Sequence, residues 1–140
     1  SQDFNAKDID RMHRRRGFFC IGYHFVILRG GIVQIGRPID ARGAHCRNDR
    51  RNKTHIGICL VGGVSEEPLE HVPGSPWNGS DAEANFTPEQ MVALKQLLEH
   101  IHATYPDLPV EGHRDVRGVR KACPSFNVQR FLTDGIVSLD

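Results

Sequence analysis

The segment Thr87–Tyr105, TPEQMVALKQLLEHIHATY, limits the possible folds more than any other part of this 140-residue chain. Thr87 suits a helix cap, Pro88 its first position, and Gln90 completes a reciprocal capping box. Met91, Leu94, Leu97, Leu98, Ile101 and Tyr105 then form one stripe at helical spacing. A helix with such a stripe must bury it against a second layer. Strands for that layer can be read from the sequence. Tyr23–Leu28 is apolar, Arg29-Gly30-Gly31 follows, and Ile32–Ile35 is apolar again. That pattern predicts a β-hairpin, with Gly-Gly supplying positive φ angles at a tight turn. His55–Val61 (HIGICLV) predicts a strand buried on both faces, and Val110–Gly112 a short strand running into His113.

Two more helices complete the reading. Ala6–Arg16 follows a candidate cap at Asn5 and stops at Gly17, with Ile9, Met12 and His13 on its inner face. Ser125 is expected to cap a last helix reaching about Leu132. Strands and helices alternate, so the expected fold class is α/β, a mixed central β-sheet flanked by helices. No repeat or linker divides the chain, and a single domain over residues 1–140 is expected. Val64–Asn85 reads as a long irregular loop carrying several acids and Trp77.

Charge and composition exclude some partners. Eighteen Lys and Arg stand against 17 Asp and Glu, a formal net charge of +1. This is no footprint for nucleic acid, although arginines cluster at Arg14–Arg16, Arg47/Arg50/Arg51 and Arg114/Arg117/Arg120. The apolar runs are far too short to span a bilayer, and the first residues lack a signal-peptide core. A monomer without nucleic-acid or membrane partners is the expectation. Cys20, Cys46, Cys59 and Cys123 form no CxxC pair, a usage that suits a reducing compartment. Eight histidines point towards metal or acid–base chemistry.

The stretch EGHRDVRGVRKACPSF (Glu111–Phe126) holds His113 and Cys123. Imidazole and thiolate are both zinc ligands, and catalytic zinc takes three protein ligands and a water. Two donors at this spacing match no zinc finger, so metal site and plain loop fit these residues equally. Tyr23 and His24 are strand neighbours and point to opposite faces, so at most one serves a given site. His24 reads as a hydrogen-bonded core histidine, and Tyr23 as core or as a phenol for chemistry. His45 follows Gly43-Ala44 in a turn-rich segment and reads, alone, as a surface histidine. Lys121 is either a solvated cation or a charge stabilising an anion near a metal.

GYHFVI (Gly22–Ile27), GAH (Gly43–His45), IGICLVGG (Ile56–Gly63), NFTPEQM (Asn85–Met91) and GHRDV…KACPSF (Gly112–Phe126) occur in that order. In this arrangement the chain resembles the zinc-dependent N-acetylmuramoyl-L-alanine amidases, which include amidase-type phage lysozymes and the peptidoglycan recognition proteins. The resemblance runs from about Asp8 to Phe131. It implies a peptidoglycan hydrolase that cuts the amide between N-acetylmuramic acid and the L-alanine of the stem peptide. It implies Zn2+ as cofactor, His113 and Cys123 as two metal ligands, Tyr23 and Lys121 as catalytic groups, and His45 as a substrate-binding residue. His13 matches a structural helix histidine.

The resemblance also implies a third zinc ligand, a histidine on a strand before the helix Ala6–Arg16. That strand is expected upstream of Ser1 in the natural protein. The alternative reading is a non-catalytic peptidoglycan-binding module, a degenerate or trimmed amidase. A phage or prophage lytic enzyme would reside in the host cytoplasm before its release to the cell wall.

Overall fold

The computed structural model describes residues 3–46, 49–63, 83–119 and 122–140. The chain divides into two compact units. The first comprises Gln2–Val61 and Phe86–Glu99, and the second Gly62–Asn85 and His100–Asp140, with Ser1. Most of the expected Val64–Asn85 loop, residues 64–82, lies outside the described residues.

The first unit begins with helix α1 (Ala6–Arg15), where the Asn5 side chain accepts from Asp8 N–H and Asp8 returns the bond to Asn5 N–H. Ile9 and His13 are buried as expected, but Met12 is 37% exposed and leaves the inner face. Asp10 ties the end of α1 to the next segment. Its carboxylate accepts from Arg14 Nε and from Ile21 N–H, both at 2.7 Å. The Arg14 bond first, then the Ile21 N–H, hold this carboxyl below the usual range.

Strand β1 (Phe25–Ile27) pairs antiparallel with β2 (Val33–Ile35), with Val26 opposite Gln34. The hairpin forms where predicted, closed by Gly31 N–H donating to Leu28 O at 2.9 Å. Only Gly31 of the Gly-Gly pair takes a positive φ, +86°. A side chain there would also strike the Glu89 carbonyl, with Cβ 2.8 Å from its oxygen. Helix α2 (Asp49–Thr54) follows, then β3 (Ile58–Leu60), parallel to β1. The sheet order is β2-β1-β3, so it is mixed, with β1 central and Val26 and Ile27 fully buried. Strand β3 corrects the sequence reading. It is three residues long and half-buried, at an edge of the sheet that the described residues form.

Helix α3 (Pro88–Thr104) carries the predicted capping box, with Thr87 Oγ1 accepting from Gln90 N–H and Gln90 Oε1 from Thr87 N–H, both at 3.1 Å. Gln90 is fully buried and does more than cap. Its Nε2 donates to Val61 O at 2.8 Å and Ile27 O at 3.2 Å. One amide therefore satisfies the start of a helix and the carbonyls at the ends of two strands. Met91, Leu94, Leu97, Leu98 and Ile101 are buried as the stripe predicts, whereas Tyr105 is 46% exposed because α3 ends before it.

The second unit holds α4 (Val128–Asp134), capped by the Asn127 side chain rather than by Ser125. Ser125 lies buried with φ +67°, and its hydroxyl donates to Gly63 O at 2.8 Å. Phe126 and Phe131 meet edge to face at 5.8 Å beside Val128. Val110–Gly112 forms no strand, and a 3-10 turn, His113–Asp115, follows directly. Gly112 N–H bonds to Asp115 Oδ2 at 2.9 Å.

His13 gives a measurable consequence. Its Nδ1 accepts from Gly22 N–H at 2.8 Å, so the buried ring is neutral. Burial, and then the charges of Arg16 and Arg37, lower its pKa below the ordinary 6.5. The unfolded chain therefore binds a proton more readily than the folded one. The stability from neutral His13 is fully present above pH 6.5 and is lost as pH falls from there through the folded value. Urea midpoints measured from pH 7.5 to 5 are expected to fall, and His13→Gln to flatten the decline. An unchanged slope in that variant would remove His13 from the account.

Candidate active site

The sequence-predicted residues fall in both units, Tyr23 and His45 in the first and His113 and Cys123 in the second. Lys121 lies outside the described residues.

Tyr23 is half-buried against the apolar cluster of Ile9, Ile21, Val26 and Val61. Its ring centroid stands 5.5 Å from that of His13. Both residues precede β1 rather than lying in it as expected, and His24 is the more enclosed. It is 1% exposed, its Nδ1 accepts from Gly57 N–H at 3.0 Å, and its Nε2 donates to Ala41 O at 2.7 Å. Because a backbone N–H points at Nδ1, the proton sits on Nε2. The core reading of His24 holds.

His45 is more enclosed than a surface histidine. Its ring lies edge-on to His24, with centroids 5.9 Å apart, and its Nε2 lies 3.2 Å from His55 O. Gly43 and Gly57 flank it. A Cβ on Gly43 would come within 2.5 Å of His45 Cδ2, and one on Gly57 would overlap the ring. Asn52, from α2, holds the backbone here. Its Oδ1 accepts from the N–H groups of both His45 and Cys46 at 2.9 Å, its Nδ2 donates to Cys46 O at 2.7 Å, and its own carbonyl accepts from Gly43 N–H at 2.8 Å. Sequence reading missed Asn52 and the helix that carries it. A buried Asn within the polar run DRRNKT sends no apolar signal.

In the second unit, two adjacent turns carry His113 and Cys123. Arg114 N–H donates to Cys123 O at 2.7 Å. The Gly112 backbone lies so close to Pro124 and Val128 that an added Cβ would sit 3.1 Å from each. His113 Nε2 is shielded from solvent, and Cys123 is exposed. The Arg114 guanidinium donates to Leu139 O at 2.7 Å, fixing the turn from its far side. The two turns thus joined carry an imidazole and a thiol, residue types that suit zinc. Among the described residues no group of three His, Cys, Asp or Glu side chains gathers around a point. The pair fits two of the three protein positions of a catalytic zinc.

Comparison with known proteins places these features in a family context. Residues 1–126 match the family model described as N-acetylmuramoyl-L-alanine amidase. The chain is 40% identical over 135 residues to the endolysin of Enterobacteria phage K11, covering 96% of this chain and 79% of that one. Among solved structures it resembles the N-acetylmuramoyl-L-alanine amidase LysC from Clostridium intestinale URNW, with a TM-score of 0.65 and 29% identity over 85% of this chain and 67% of that one. Bumblebee PGRP-SA shares the fold, with a TM-score of 0.61 at 24% identity, over 81% of this chain and 59% of that one.

Proposed function

The chain belongs to the N-acetylmuramoyl-L-alanine amidase family, and from that premise we propose that it hydrolyses peptidoglycan at the amide joining N-acetylmuramic acid to L-alanine, with zinc as cofactor. The observation that carries the reading is the family match over residues 1–126. The joined turns of His113 and Cys123 support it, because they carry an imidazole and a thiol, both suited to zinc, within one unit.

In this proposal His113 and Cys123 hold the metal. When bound, zinc supplies a Lewis acid and a water acidic enough to act as a nucleophile near neutral pH. The chain's own groups do the rest. Tyr23 and Lys121 offer donors to the negative charge that develops on the scissile carbonyl oxygen. His45 binds and orients the substrate. Water adds to the carbonyl carbon, the C–N bond breaks, and the L-alanine nitrogen leaves as an amine with the proton it gains. The protein is a phage-type lytic enzyme held in the host cytoplasm until it reaches the cell wall, and it works as a monomer.

The test is zinc-loaded protein on purified peptidoglycan, scored by new L-alanine amino termini. If muropeptides bind and no termini appear, the chain is a recognition module and the catalytic reading fails. Lys121→Ala is expected to keep its zinc and lose rate by about 100-fold, the scale of losing one charge-stabilising donor. Full activity in that variant would remove the role given to Lys121.

A further inference from the structure

We infer that Asn52 is a positioning residue for His45, and that His24 is the stop against which the His45 ring is set. The inference rests on the proposed function for what His45 touches, and on the structure for how it is held.

The backbone on either side of the ring is fixed by one side chain. Asn52 uses both ends of its amide on His45 and Cys46, and its main-chain carbonyl takes the Gly43 N–H two residues before His45. These contacts set where the His45 Cα–Cβ bond points. The ring itself is confined by the glycine slot, by the edge of His24, and by the His55 carbonyl opposite Nε2. A carbonyl at Nε2 selects the tautomer with its proton on that nitrogen.

His24 cannot yield to the ring. It is buried, and both its nitrogens are engaged by backbone groups, Gly57 N–H on one side and Ala41 O on the other. A loop needing only to be folded would not require a buried amide, an immobile imidazole and two glycines around one half-exposed ring. A binding group held in one rotamer loses less freedom when substrate arrives, so the arrangement favours ground-state binding over the chemical step.

The experiment is a double-mutant cycle on the zinc-loaded full chain, with a soluble muramoyl peptide as substrate. Asn52→Ala is expected to raise KM by about tenfold and leave kcat within about twofold, the pattern of lost uniform binding. His45→Ala should do the same, and the double variant should be no worse than His45→Ala alone. Additive effects, or a loss confined to kcat, would overturn the inference. If Asn52→Ala fails to fold, Asn52→Asp replaces it. That variant keeps the acceptor and loses the donor to Cys46 O, so a smaller rise in KM is expected, and an unchanged KM would overturn the inference.

Nitrogen-15 NMR of the His45 ring separates this result from failure of the amidase reading. Wild type should show one tautomer protonated at Nε2, and the Asn52 variant a mixture, whether or not the protein cleaves the substrate. Identical ring spectra in both would overturn the inference while leaving the amidase reading intact. Absence of new L-alanine termini from wild type, with the spectral change present, would count against the reaction alone.

Discussion

Cys123→Ser is expected to strip zinc from the protein and abolish most muramoyl–alanine cleavage. At neutral pH a serine hydroxyl keeps its proton, so it replaces a thiolate ligand only in shape. Loss of an outer-sphere partner alone costs 10–100-fold in metal affinity or activity, so loss of a direct ligand should exceed about 100-fold. His113→Ala should match it, because it removes the imidazole ligand of the same proposed site. Metal analysis and chelator competition give the readout independently of activity. Folding should survive both changes, since Cys123 is exposed and the core of its unit is built on Phe126, Val128 and Phe131. Stoichiometric zinc and full activity in either variant would place the metal elsewhere.

The second large effect is on stability. Gln90→Leu is expected to cost about 3 kcal/mol, since it removes three hydrogen bonds worth about 1 kcal/mol each, while Ile27 O keeps the Val61 N–H and Val61 O keeps Arg29 Nη1. Thr87 N–H, Ile27 O and Val61 O would all lose the amide at once, and Arg29 would lose its 3.3 Å contact with Oε1. Thr87→Ala, which removes the cap and the 2.6 Å bond from Oγ1 to Arg29 O, should cost about 1 to 2 kcal/mol. The contrast between the two variants in urea unfolding is the test. Equal losses would mean that Gln90 acts only as a cap.

Gln90 also shows how far sequence reading reached. TPEQ announced the capping box because a cap is a local exchange between residues three apart. The second role, bonding Ile27 O and Val61 O, depends on which strands lie beside the helix, and no local pattern encodes that. Helix α1 and the hairpin were legible for the same reason, since caps, Gly-Gly and alternating apolar residues are short-range signals. The mixed sheet followed from their order. Met12 and Tyr105 were misplaced because periodicity gives a face and not the position where a helix stops being covered. The strand expected at Val110–Gly112 did not form, because the Asp115 carboxylate takes the Gly112 N–H and the chain turns into the 3-10 segment His113–Asp115.

The candidate site divides in the same way. The roles proposed for His113, Cys123, Tyr23, Lys121 and His45 rest on the resemblance through ordered short motifs, and the resemblance to the amidases is upheld by the family match. Asn52 was not legible there, because its place rests on three side-chain hydrogen bonds and one main-chain bond to a loop that the sequence shows only as turn-rich.

The sheet order β2-β1-β3 has an evolutionary consequence. Residues between β2 and β3 must pass from one edge of the sheet to the other, and this connection carries Gly43, His45, Asn52 and Gly57. Its two ends are anchored by strand register, and its interior is tied to the chain before β1 at only a few points, such as Ala44 N–H to Gly22 O. Substitutions and small insertions there can be selected for new cell-wall chemistries without re-registering the sheet. The same scaffold can thus be inherited unchanged while its specificity drifts.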